Sequence, residues 1–222
     1  LLKEKARSRM SLVEIRTQLK NKIHGILFRN AIIYPKSTLF TKQGRVWLGK
    51  LDLSLEHRNH LNSNLAIIDS IDKEIKTIEK DFKKTVIENK SLSLLKTIPG
   101  IGDITAMTIL AEIGDINRFP DPRHLHSYAG LVPRISASGE SSRYGRISKE
   151  GSKFLRYVMV ETAHHQLLLK RNLVGLKWYY QRIASRKNNQ TAAVATARKL
   201  LTIVWKVLKE ERPYQERLPK TM

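Results

Sequence analysis

Ser93 to Phe119 reads SLLKTIPGIGDITAMTILAEIGDINRF. A short helix over Leu92–Thr97 stops at Pro99-Gly100, because proline cannot continue a helix and glycine frees the backbone to turn. A second helix starts near Asp103. Its apolar face is Ile104, Met107, Thr108 and Ala111, widened by Ile109, Leu110 and Ile113, and Gly114 ends it. Helix, glycine turn, helix is the helix-hairpin-helix pattern, expected over about 92–114. Gly100 and Gly102 let the backbone approach a phosphate closely, and the first N–H groups of the second helix then point at the anion. The stretch is poor in cations, so a phosphate here would be held by backbone amides. The alternative is a turn that only packs two helices together.

Upstream, residues 55–91 form a long helical run. Ile68, Ile71, Ile75, Ile78 and Phe82 are spaced 3, 4, 3, 4, the seam of a coiled coil or a helical-hairpin arm. A partner helix from a second subunit is one way to cover that seam, and packing within the same chain is the other. Residues 1–54 hold a helix with Leu12, Leu19, Ile23 and Ile26 on one face. A broken piece punctuated by Pro35 and Gly44 follows, with a short helix at Val46–Leu51.

Downstream, residues 92–222 read as one helical domain. HLHSYAGL, KEGSKFLRYVMVETAHHQLLLKR and TAAVATARKLLTIVWKVLKEERPY are its helical pieces. Ala192, Ala193, Ala195 and Ala197 permit close helix packing, and Leu200, Leu201, Val204 and Leu208 form a core face. No strong alternation of apolar residues appears, so the class is mostly α, a long coiled-coil-like arm followed by a helical domain. SASGESSRYGRISKEG, Ser136 to Gly151, reads as a loop with little to bury.

The 222 residues carry 41 Lys and Arg against 20 acids, a net charge of +21. Such a surplus points to a polyanion, most often nucleic acid. It is uneven. Residues 1–30 hold eight basic and two acidic side chains, residues 123–156 seven and two, and residues 56–90 seven of each. A neutral middle between basic flanks suits a spacer or assembly element between nucleic-acid contacts. No apolar run approaches the ~20 residues that span a bilayer. The chain has no cysteine, which excludes disulfides and thiolate metal sites. It opens inside a helix without an initiator Met, which suggests a piece of a longer protein. The expected location is the cytoplasm.

Phosphoryl transfer needs a nucleophile in line with phosphorus and cations on the equatorial oxygens. Ser138 precedes Gly139, a pairing that can expose a hydroxyl, and Ser136 is its nearest rival. Arg143, Arg146, Lys149, Lys153 and Arg156 offer the cations. Lys149, Lys153 and Arg156 lie at helical spacing and so can form one stripe. By residue chemistry alone the stretch reads first as a basic loop on DNA backbone, with a solvated linker and a nucleophile loop as the other readings. The pairs His57/His60, His124/His126 and His164/His165 lack carboxylates at ligand spacing. Asp103, Glu112 and Asp115 cluster in sequence, but two of them read as helix-start and post-helix residues, which argues against a metal site. No phosphate-binding glycine fingerprint is present.

Taken in order, IPGIGDITAMTILAEIGDINRF, HLHSYAGLVPRISASGE, YGRISKEGSKFLRYVMVETA and AVATARKLLTIVWKVLKEERPY resemble the C-terminal transposase domain of the insertion-sequence one-ten family. RMSLVEIRTQLKNKIHGIL and LFTKQGRVWLGKL resemble the segment before it. The resemblance covers nearly the whole chain. It implies a RuvC-like nuclease domain with four metal-binding acids ahead of Leu1, then the arm, then the transposase domain. It implies a serine in a Ser-Gly motif that attacks DNA and becomes covalently joined to it, and Ser138 is the matching position. It also implies Mg²⁺ in the complete enzyme, no cofactor held by these residues, dimers or tetramers on DNA, and a structured guide RNA.

The expectation is therefore the arm and serine half of an RNA-guided DNA transposase, inactive in recombination by itself. Ser138 would be the nucleophile, and Gly100, Gly102, Arg143, Arg146, Lys149, Lys153 and Arg156 would hold phosphates. The arm would bring subunits together. The alternative is a non-catalytic nucleic-acid-binding remnant or helix-hairpin-helix module.

Overall fold

The computed structural model describes residues 1–34, 38–86, 89–138, 141–168 and 174–215, with side chains at all of these but 85–86, 135–138, 141–144, 166–168 and 174. Among them the fold is mostly α. The helices are α1 (Leu2–Arg29), α2 (Lys42–Lys50), α3 (Leu55–Val86), α4 (Lys90–Lys96), α5 (Asp103–Ile113), α6 (Pro122–Tyr128), α7 (Lys153–Leu168), α8 (Val174–Arg186) and α9 (Asn189–Lys209). Strands β1 (Pro133–Ser138) and β2 (Ser141–Ile147) form a two-stranded sheet.

The chain divides into two compact units, Ser8–Lys80 and Leu1–Arg7 with Asp81–Met222. The cuts fall inside α1 and α3, not at the punctuated stretches near 54 and 91, because helices run on wherever nothing breaks their hydrogen bonding.

In the Ser8–Lys80 unit the 3, 4 spacing has a partner in the same chain. Ile68, Ile71 and Ile75 of α3 join Leu19, Ile23, Ile26 and Leu27 of α1 and Leu48 of α2 in one buried cluster. Arg9–Glu79 and Arg16–Asp72 are ion pairs of 2.6 Å each. Their numbers rise on α1 by the heptad by which they fall on α3, so the two helices run antiparallel in register. Arg45 of α2 adds a 2.6 Å pair to Asp69. Gly44 is demanded by proximity: a Cβ there would lie 1.9 Å from the Leu39 carbonyl oxygen.

In the other unit α9 is the central helix, packing against α4, α6, α7 and α8. Its first half buries only small residues, Ala192, Ala193, Thr196 and Ala197, and its second half buries Leu200, Leu201, Val204, Val207 and Leu208. Small residues allow close approach where α8 crosses, and the larger ones fill the space beyond. The Asn188 side chain caps α9 by accepting the Thr191 N–H at 2.8 Å. Phe82 at the end of α3 is fully buried in this unit.

The stretch expected as a loop holds a β-hairpin. Ser136 pairs with Arg143, Ala137 with Ser142 and Ser138 with Ser141, and a register irregularity lies between Pro133 and Ile135. The ladder pairs the inward-facing main-chain groups of the two strands, and the alternation of Arg134-Ile135-Ser136-Ala137-Ser138 is too short and too serine-rich to stand out as a strand.

Candidate nucleic-acid interface

The base of the hairpin is closed by main-chain hydrogen bonds. The Ser148 N–H donates to the Val132 carbonyl at 2.8 Å, Lys149 N–H to Gly130 at 3.2 Å, and Ser152 N–H to Tyr128 at 2.8 Å. Two glycines make this approach possible. Gly130 has φ +64 and a Cβ there would meet the Glu150 oxygen at 2.3 Å; Gly151 has φ +102 and would meet the Tyr128 oxygen at 2.2 Å. The Ser152 hydroxyl accepts the Leu155 N–H at 3.1 Å and so caps α7.

Beneath this base lies a buried carboxylate that the sequence reading named only as one of three clustered acids. The Glu112 side chain is 0% exposed. Arg7 binds it in bidentate fashion, Nε to Oε1 at 2.7 Å and Nη2 to Oε2 at 3.1 Å. The Ser152 hydroxyl donates to Oε2 at 2.7 Å, and the Lys3 ammonium stands 3.9 Å away. Burial pushes the Glu112 carboxyl up. The hydrogen bonds from Arg7 and Ser152 and the charges of Arg7 and Lys3 outweigh it and hold the group below the usual carboxylate range. Tyr128 joins the cluster, donating to the Glu112 carbonyl at 3.2 Å and accepting from Lys3 at 3.1 Å. The first turns of α1 are thus tied to α5, α6 and the start of α7. Only proximity in space brings these residues together. The one signal in the chain was the Glu112 carboxylate among the apolar residues Ile109 to Ile113 of α5.

The residues expected to touch phosphate separate into groups. The backbone of Ser138 ends β1, while its side chain, that of Ser136 and that of Arg143 lie outside the described residues. Arg146 in β2 and Lys149 are exposed, and Lys153 is exposed at the first turn of α7. The expected stripe of Lys149, Lys153 and Arg156 does not form. Lys149 has φ +58 and precedes the helix, whose first residue is Lys153. Arg156 is half-buried and donates to the Ala129 carbonyl at 2.9 Å, and burial lowers its pKa. Part of its guanidinium therefore braces the hairpin base.

α4 and α5 bracket a tight turn in which the Ile101 N–H donates to the Ile98 carbonyl at 3.1 Å. Gly100 sits at φ +83, the left-handed position that follows proline in such a turn and favours glycine. Gly102 caps α5 with extended backbone, and a Cβ there would meet nothing within 4 Å. Packing within the chain therefore does not require Gly102 to be glycine. A cleft of about 500 Å³ opens beside the turn, lined by Gly100, Gly102, Thr105, Glu161 and His165. Glu161 is an acid that an incoming phosphate would have to avoid. Asp103 is paired with Lys96 at 2.6 Å.

Residues 92–181 match the family described as Transposase IS116/IS110/IS902. Residues 92–181 are thus a domain of this transposase family. It is 29% identical over 208 residues to the transposase for insertion sequence element IS1111A of Coxiella burnetii, covering 92% of this chain and 57% of that protein. It is 29% identical over 207 residues to the IS1328 transposase of Yersinia enterocolitica, covering 90% and 60% respectively. A pilin gene-inverting protein of Moraxella bovis is 36% identical over 132 residues, 59% of this chain and 40% of that protein. The chain spans 57% to 63% of the length of three curated relatives it matches. The family match covers α5, α6, the hairpin, α7 and the Glu112 cluster apart from Lys3 and Arg7.

Proposed function

We propose that this chain is the DNA-handling part of an insertion-sequence transposase, in which Ser138 is the nucleophile. The observation that supports it best is the β1–β2 hairpin within the family-matched residues, which ends β1 at Ser138 and rests on a base closed by three main-chain hydrogen bonds. A strand pair anchored at its base limits the directions from which a residue on it can approach a phosphate, which in-line attack requires.

In the proposed step the Ser138 Oγ attacks the phosphorus of a phosphodiester, and its proton passes to a base. The bond from phosphorus to the leaving strand breaks, and that strand's oxygen takes up a proton. The other strand stays joined to the protein through an Oγ–P bond until a second hydroxyl displaces it. Arg146, Lys149 and Lys153, with Arg143, would neutralise the phosphate, and Arg156 would both brace the base and lend its remaining donors. Gly100 and Gly102 would let backbone amides of the α4–α5 turn, acting as a helix-hairpin-helix, meet a second stretch of backbone.

DNA is the proposed partner, with a structured guide RNA choosing the sites. Assembly into dimers or tetramers through the arm would use the outward face of α3, because α1 covers its seam. The Mg²⁺ implied by the resemblance fits the present residues poorly. Glu112 is taken by Arg7 and Ser152, Asp103 by Lys96, and Asp115 by the Asn117 N–H. Such an ion would be held by other residues of the working assembly, and no step here runs through it. On this reading residues 1–222 alone bind nucleic acid without recombining it.

The test supplies the complete transposase with this segment in place and looks for a covalent protein–DNA adduct. Ser138→Ala is expected to abolish the adduct and Ser136→Ala to keep it. An adduct that survives Ser138→Ala overturns the assignment.

A further inference from the structure

Between Glu161 and Glu210 the sequence carries ten Lys and Arg and no Asp or Glu, its longest acid-free stretch. Most of it is α8 and α9. Leu176 and Tyr180 turn α8 inward, each 4% exposed, and the Tyr180 hydroxyl donates to the Asn189 carbonyl at 3.0 Å. Trp178 is left 50% exposed. Arg182, one turn along, holds its guanidinium 4.8 Å from the centre of the Trp178 ring and 6.0 Å from that of Tyr179. The Lys199 ammonium, from α9, stands 4.3 Å from the centre of the Tyr179 ring. Among the described residues no carboxylate forms an ion pair with Arg182 or Lys199.

Two features of this surface are unfavourable in the free protein. A large indole faces water. Two cations also share one aromatic ring with no ion-pair partner among the described residues; burial pulls the Lys199 ammonium below its usual range, and Arg182 adds to that. One ligand relieves both. An unpaired nucleobase presents a flat π-face to the indole, and its phosphates neutralise the flanking cations. Duplex DNA hides its base faces in the stack, and an acidic peptide offers charge without a matching ring.

We propose that Trp178, with Arg182 and Lys199 beside it, is a stacking platform for an unpaired base of single-stranded nucleic acid. It rests on the nucleic-acid reading above. The test measures binding of the 222-residue chain to labelled oligo-dT, oligo-rU and a blunt duplex at fixed salt. Trp178→Ala is expected to lose about tenfold or more in affinity for the single strands and less than about twofold for duplex, while Trp178→Phe keeps most of the single-strand affinity. Thermal melting confirms that each variant is folded, and should Trp178→Ala not fold, Arg182→Ala replaces it with the same expected pattern. The larger loss, on dT or on rU, tells whether the strand is DNA or RNA. Equal loss on duplex and single strands, or single-strand binding indifferent to Trp178, overturns the platform and leaves the nucleic-acid reading standing. Failure of the wild-type chain to bind any of the three overturns both. A parallel tenfold loss for poly-glutamate assigns the surface to an acidic protein and overturns the platform alone.

Discussion

His126 shows how much a single side chain's surroundings decide. It is 6% exposed on α6. Arg198 Nε donates to its Nδ1 at 3.3 Å, and its Nε2 lies 3.0 Å from the Thr202 hydroxyl, which itself donates to the Arg198 carbonyl. The ring is thus neutral with its proton on Nε2. Burial lowers its pKa from 6.5 to about 4, and Arg198 adds to the shift. The folded protein therefore binds this proton less readily than the unfolded chain does. Stability from the neutral ring is complete above pH 6.5 and falls as pH drops towards about 4, by on the order of 3 kcal/mol in all. Urea unfolding between pH 7 and 4 should show this slope, and His126→Gln should flatten it. In the sequence His126 was one half of a His pair. Its partners Arg198 and Thr202 are more than 70 positions away, as Arg7 is 105 from Glu112.

At the scale of elements the heptad spacing of α3 was legible, but its partner was not. Ile68, Ile71 and Ile75 specify an apolar stripe, and any helix with a complementary stripe can cover it. α1 does so, because the intervening 25 residues let the chain fold back and closure within one chain costs far less entropy than capture of a second subunit. Ile68→Ala leaves a void in a fully buried position and is expected to destabilise by about 3 kcal/mol. Sedimentation at fixed concentration should show its oligomeric state unchanged. A shift towards smaller species would mean that the seam also joins subunits. The β-hairpin was not legible, since its one alternating stretch, Arg134 to Ser138, has only Ile135 and Ala137 as apolar residues and lies in a serine- and glycine-rich run.

For the whole molecule the charge excess governs behaviour in solution. Among the described residues the carboxylates of α3 that pair with cations are consumed internally, in Lys5–Asp81, Arg9–Glu79, Arg16–Asp72 and Arg45–Asp69. Among the described residues the cations of the acid-free run through α8 and α9 form no ion pair. Binding to duplex DNA should weaken steeply with salt, because phosphate contacts release condensed counterions. A titration from 50 to 200 mM salt is expected to give a log–log slope of about −4 or steeper. A slope near zero would sink the reading of the basic surface as a phosphate-binding one.

Composition and periodicity by themselves determined the helical class, the seam of α3, the α4–α5 turn and its glycines, the core face of α9 and the charge excess. Each of these follows from local spacing or from a sum over residues, and neither depends on where the chain goes next. Tertiary structure alone decided that α1 covers the seam, that Glu112 is a buried anion held by Arg7 and Ser152, that Arg156 braces a hairpin while Lys149 stands outside the helix, and that Trp178 is left half exposed beside Arg182, with Lys199 over the neighbouring Tyr179 ring. Those outcomes depend on contacts between distant residues, whose free energy appears only once the backbone has closed on itself.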